Sequence, residues 1–170
     1  MLNTLTKLAM ASSLMVFAGF AVDDWFGQLF GWHNHLWEML DLPGQSITPP
    51  VFLVLFGAAI TLAGLVGLAL SYIAIWRILS DGKLQDFRLL ARRLKRMAYG
   101  FIAFWLSNYL VFGGVRTLLA QYILTTEDVA IIWDPFSPDL VFAITAVALL
   151  AIATMMERAW QAEDETQHFL

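Results

Sequence analysis

The chain has 170 residues, 59% of them hydrophobic and only 14% charged, and its mean hydropathy is +0.68. A soluble domain of this size carries about a quarter charged residues, so the apolar excess points to an integral membrane protein rather than a large soluble core. The net charge of −4 conceals a segregation of signs, the single basic cluster adjoins apolar runs and so argues against nucleic-acid binding, and the absence of cysteine excludes disulfides, thiolate metal sites and thiol redox chemistry.

The first predicted span covers residues 5–23, with Lys7 at its start. It is short for a helix that needs about 17–25 apolar residues to cross. A cleaved signal peptide is the competing reading, with Gly19 and Ala21 as small residues before a cleavage point. A retained span is favoured, with Trp25 and Phe26 as its outer anchor. In the outer segment 24–50, Trp25, Leu29, Trp32, Leu36 and Met39 or Leu40 recur at helical spacing, which predicts a helix lying on the outer membrane surface. Pro43-Gly44 ends it, and Pro49-Pro50 leads into the next span.

The second span, 51–76, contains no charged residue. Gly57, Gly64 and Gly67 lie among alanines and are predicted helix-packing positions, because small residues let backbones approach closely. The inner loop, 77–96, has its own periodicity, with Leu84, Phe87, Leu90, Leu94 and Met97 three or four residues apart. Lys83, Arg88, Arg92, Arg93, Lys95 and Arg96 fill much of the rest. This predicts a basic interfacial helix whose cations contact anionic lipid headgroups, each contributing about 1 kcal/mol.

The third span, 97–116, ends at Arg116, roughly 28 Å beyond Met97 at 1.5 Å per residue. At that depth Arg116 is interfacial, and the candidate outer ion pair joins it to Asp23 or Asp24. Ser107 and Asn108 are its strongly polar residues near mid-membrane and are expected to hydrogen-bond between helices. Leu118, Leu119, Tyr122 and Ile123 continue the helical pattern into the outer segment 117–138. Together with 24–50 this segment predicts a small aromatic-rich outer cap. The fourth span, 139–157, begins after Pro138 and is followed by a polar inner tail, 158–170.

Lys7, the seven cations from Arg77 to Arg96, and Arg158 fall at alternate ends of these spans, whereas 23–50 and 117–157 contain no Lys or Arg and carry only acidic charges. Basic residues are retained on the cytoplasmic side. The expected fold is therefore an all-α integral membrane four-helix bundle with both termini inside.

Chemistry-bearing patterns are scarce. His33 and His35 lie about 200° apart on a helix, where they do not chelate one ion from a single face, whereas on a strand they could; a zinc site would also need Glu38 or Asp41. The spans hold no histidine for a haem bundle and the central spans no buried carboxylate for proton-coupled export. The expectation is a protein without catalytic residues, metal or cofactor. Its partners are membrane lipids, other membrane-protein subunits or further copies of itself. The rival readings are a transporter or channel component with a polar cavity near Ser107 and Asn108, and a membrane enzyme built from His33, His35, Glu38 and Asp41.

Two stretches resemble a known family. Residues 78–94 place Gly82 shortly before Phe87 and then run Leu-Arg-rich into the third span, and an acidic run, 162–167, follows the last span. Both are similar to YoaS-like proteins, small four-span bacterial membrane proteins without an established activity. The chain departs from them at Lys83-Leu84, where the family usually has Pro-Phe. The resemblance implies a bacterial inner-membrane location. Some relatives are encoded beside a small helix-turn-helix regulator, which implies regulated expression.

Overall fold

In a computed structural model that describes residues 2–30, 49–80, 87–123 and 140–168, the described chain is helical apart from Pro49-Pro50. Helix α1 spans Leu2–Phe30, α2 Val51–Ser80 and α3 Phe87–Tyr109. A π-helical turn, Leu110–Val115, joins α3 to α4, Arg116–Ile123, and α5 spans Leu140–His168. Among the described residues, four stretches are long and apolar enough to cross a membrane, with α3, the π-turn and α4 together forming one of them. The chain is thus a multi-pass membrane protein by length and composition.

Helix α2 packs on α1 and on α3, and α3 packs on α5, so α2 and α3 are the inner pair and α1 and α5 the flanks. The sequence explains the order. Helix α2 carries Gly57, Gly64 and Gly67 among its buried residues, so other helices approach it closely on that side. Phe104 of α3 ties the flanks to the centre: its ring stands edge-on to Phe17 of α1 at 5.6 Å and to Phe142 of α5 at 5.0 Å. A second core cluster gathers Trp25, Leu53, Val54, Ala58, Val111, Val115 and Leu119.

The middle of the α2–α3 interface is made of small residues. A methyl placed on Gly100 would collide with the Gly67 carbonyl and the Ser71 hydroxyl, and one on Gly67 would lie 2.8 Å from Ala103 Cβ. Ser71 Oγ lies 2.8 Å from the Met97 carbonyl, and Ser107 Oγ donates to the Ile60 carbonyl at 2.6 Å. Close backbone approach and interhelical hydrogen bonds replace the hydrophobic drive that apolar lipid cannot supply.

Several expectations are corrected by this architecture. From Phe87 on, the basic segment is not a helix separate from the third span: α2 continues to Ser80, and Phe87–Tyr109 is one helix that includes both the cations from Arg88 to Arg96 and the start of that span. No proline interrupts it, and Ala91 and Ala98 on it are fully buried, whereas Leu90, Leu94 and Met97 of the predicted stripe are half-buried and Phe87 is exposed. Residues 24–30 extend α1 instead of opening a surface helix. Trp25, expected as an interfacial anchor, is 1% exposed. The missing side chain of Gly57 leaves the slot that its indole fills, and Nε1 donates to Thr61 Oγ1 at 2.9 Å. The tail after 157 continues α5 as helix to His168. The cap predicted over 31–48 and 124–138, with His33, His35, Glu38 and Asp41, lies outside the described residues, as does Lys83.

Candidate functional site

The cations of distant segments converge on one end of the bundle. Lys7 of α1 donates to Ser80 Oγ of α2 at 2.7 Å and sits 4.7 Å from the centre of the Trp76 ring. Lys95 of α3 pairs with Glu157 of α5 at 2.6 Å, and the Arg88 guanidinium lies 4.8 Å from the centre of the Trp160 ring. Arg93 donates to the Arg77 carbonyl at 3.0 Å. That carbonyl belongs to the last turn of α2, where unpaired carbonyls and the negative end of the helix dipole favour a cation.

Between α2 and α3 at this basic end lies a groove of about 590 Å³. Its α2 wall is formed by Gly67, Leu70, Ile73, Ala74 and Arg77, spaced to share one helical face. Arg92, Arg93, Arg96, Tyr99 and Gly100 contribute the opposite wall from α3. Its arginines lie toward the basic end, with Leu89 beside them, and its glycines toward the other. The Gly67–Gly100 crossing closes the deep end, and Arg77 lies roughly 15 Å along α2 from Gly67 at 1.5 Å per residue. Leu70, Ile73 and Tyr99 are exposed, so the groove opens sideways at the bundle surface.

The five predicted headgroup cations among the described residues therefore divide into distinct sets. Arg92, Arg93 and Arg96 share the groove, whereas Lys95 faces α5 and Arg88 is stacked on Trp160. Among the described residues, no carboxylate pairs with Arg77, Arg92 or Arg96. In the sequence Arg77 reads as one of the inner-side cations at the start of the loop, and Tyr99 and Gly100 as part of the third span. Helical spacing offered a signal, since 92, 96, 99 and 103 lie on one face, but the matching face of α2 becomes apparent only when the two helices are paired.

The predicted packing glycines are filled from within the chain: Gly57 by Trp25, Gly64 by Ser107 and Gly67 by Ala103 and Gly100. Arg116 is half-buried immediately after the π-turn, and Asp23 is exposed on α1. The Asp24 side chain, the other half of the predicted outer pair, lies outside the described residues. The π-turn was not anticipated. Gly113-Gly114 and Thr117, whose hydroxyl donates to the Gly113 carbonyl at 2.5 Å, were its visible traces.

No protein-family model, curated protein or solved structure matches the chain.

Proposed function

We propose that this chain is a non-catalytic protein of the bacterial inner membrane, an accessory or regulatory subunit that packs against other membrane proteins or against further copies of itself. In this reading the basic end faces the cytoplasm, following the retention of Lys and Arg on that side. The YoaS-like layout of residues 78–94 and 162–167 agrees with it.

The observation that carries the proposal is the imbalance between inner and flanking helices. Within their apolar windows, 39% of α2 and 44% of the α3–α4 span are buried inside the protein, against 6% of α1 and 11% of α5. The flanks thus offer long apolar surfaces to lipid or to neighbouring helices. The inner pair meanwhile uses its polar groups on itself. Ser107 is 5% exposed, bonded to the Ile60 carbonyl and pressed against Gly64, which favours a packing role over a polar solute path at that depth.

Gentle solubilisation of native membranes followed by affinity purification tests this proposal. The expected result is a defined partner or a homo-oligomer. A strictly monomeric particle without a partner, obtained in several mild detergents, would overturn it.

A further inference from the structure

We infer that the groove between α2 and α3 is a binding site for an anionic phospholipid, which is held by its phosphate among Arg77, Arg92 and Arg96 with an acyl chain laid toward the Gly67–Gly100 crossing. This inference shares only the membrane placement with the accessory-subunit reading and can fail or succeed independently of it.

Three observations combine. The first is the division of cations. Lys7, Lys95 and Arg88 each meet a partner within the chain, respectively Ser80 and Trp76, Glu157, and Trp160. Arg77, Arg92 and Arg96 line the one groove and meet no carboxylate among the described residues. Clustered like charges repel, and an anion bridging them removes that repulsion. Arginine also suits a phosphate well, because its planar fork donates two parallel hydrogen bonds.

The second observation is depth. Helix α2 has 30 residues, or roughly 45 Å, whereas the hydrocarbon core is about 30 Å thick. With the apolar start of α2 at one face of the core, Arg77 stands at headgroup level and Gly67 within the acyl region. The polar-to-apolar gradient of the groove thus runs in the same sense as that of a lipid molecule in the adjacent leaflet. A soluble anion would use the arginines but would leave the apolar floor uncovered.

The third is access. The groove is open toward Leu70, Ile73 and Tyr99, all exposed, so a lipid enters laterally from the leaflet without any helix moving. Basic pockets between membrane helices are a recurrent setting for phospholipid headgroups.

The test is native mass spectrometry of the full chain in detergent, titrated with phosphatidylglycerol, with phosphatidylcholine of the same acyl chains, and with inorganic phosphate. The expected result is saturable binding of one phosphatidylglycerol that phosphatidylcholine does not match and that phosphate does not displace. The double substitution R92Q/R96Q should weaken it about tenfold or more, from two headgroup contacts. The double substitution R88Q/R158Q removes the same charge from outside the groove and should change it less than about twofold by comparison. Ile73→Trp, which fills the groove mouth and leaves every arginine in place, should weaken binding as well, and it covers the case in which R92Q/R96Q fails to fold. Equal losses in the two double variants would overturn the site in favour of general surface attraction. Displacement by inorganic phosphate, equal binding of phosphatidylcholine, or full binding by Ile73→Trp would each overturn it too.

Discussion

The α2–α3 pair forms two different interfaces along a single pair of helices. In the middle, Gly64, Gly67, Ser71, Gly100 and Ser107 bring the backbones together, and hydroxyls bond across the gap. Toward the basic end, Leu70, Ile73, Arg92, Arg96 and Tyr99 occupy the corresponding positions, and a groove of about 590 Å³ opens. Side-chain size decides between contact and cleft here. Backbones close where there is almost no side chain, and a recess is left where long side chains stand at the surface. One helix pair can therefore supply both a tightly packed centre of the bundle and an open recess.

The sharpest way to break this comparison is to enlarge the crossing. Gly100→Val drives side-chain atoms into the Gly67 carbonyl and Ser71, so it should destabilise the protein by about 3 kcal/mol, while Ile73→Phe in the groove should change stability by less than about 0.5 kcal/mol. Thermal unfolding in one detergent measures both, and similar losses would mean that the crossing is no tighter than the groove. Gly57→Ala, which collides with the Trp25 indole, should cost about 2 kcal/mol. In a Trp25→Ala background most of that cost should vanish, and additivity would show that the two residues do not share a slot.

Smaller effects sharpen the picture. Ser107→Ala and Ser71→Ala each remove one hydroxyl from the dry interface and should each cost about 0.6–1 kcal/mol in the same unfolding assay. Losses above 2 kcal/mol would indicate that the hydroxyls, rather than the glycines, hold the helices together. At the basic end, Lys95→Gln breaks a pair whose side chains are 32% and 33% exposed, and should cost at most about 1 kcal/mol. Added salt should shrink that difference further.

How much of this was legible in the sequence varied with the kind of information involved. The four apolar stretches were readable because hydrophobicity is summed over a span and survives errors at its ends. The gathering of Lys7, the α3 cations and Arg158 at one end followed from their alternation along the chain. Helix continuity was less legible: a basic amphipathic segment before an apolar one looks the same whether the chain bends at the membrane surface or runs straight through. The structure continues Phe87–Tyr109 as one helix, with Ala91 and Ala98 both buried on it, and such burial depends on partner faces that the local sequence does not display. Trp25 illustrates the same limit. A tryptophan just beyond an apolar run usually marks an interface, and only the slot left by Gly57, far along the chain, draws it inside. Of the groove, Arg92, Arg93 and Arg96 were readable as lipid contacts, whereas their separation from Arg88 and Lys95 depended on what each faces.

The π-turn at Leu110–Val115 has a consequence for how the third span keeps its aim. Val111, Val115 and Leu119 are all buried in the cluster around Trp25, each four residues after the last. In an unbroken α-helix a four-residue step overshoots a full turn by about 40°, and two such steps would swing Leu119 about 80° away from the line set by Val111. A wider turn, closed by bonds between residues five apart, takes back part of that drift. The turn thus acts as a phase corrector, letting the far half of a long helix stay in mesh with a neighbour that the near half already grips.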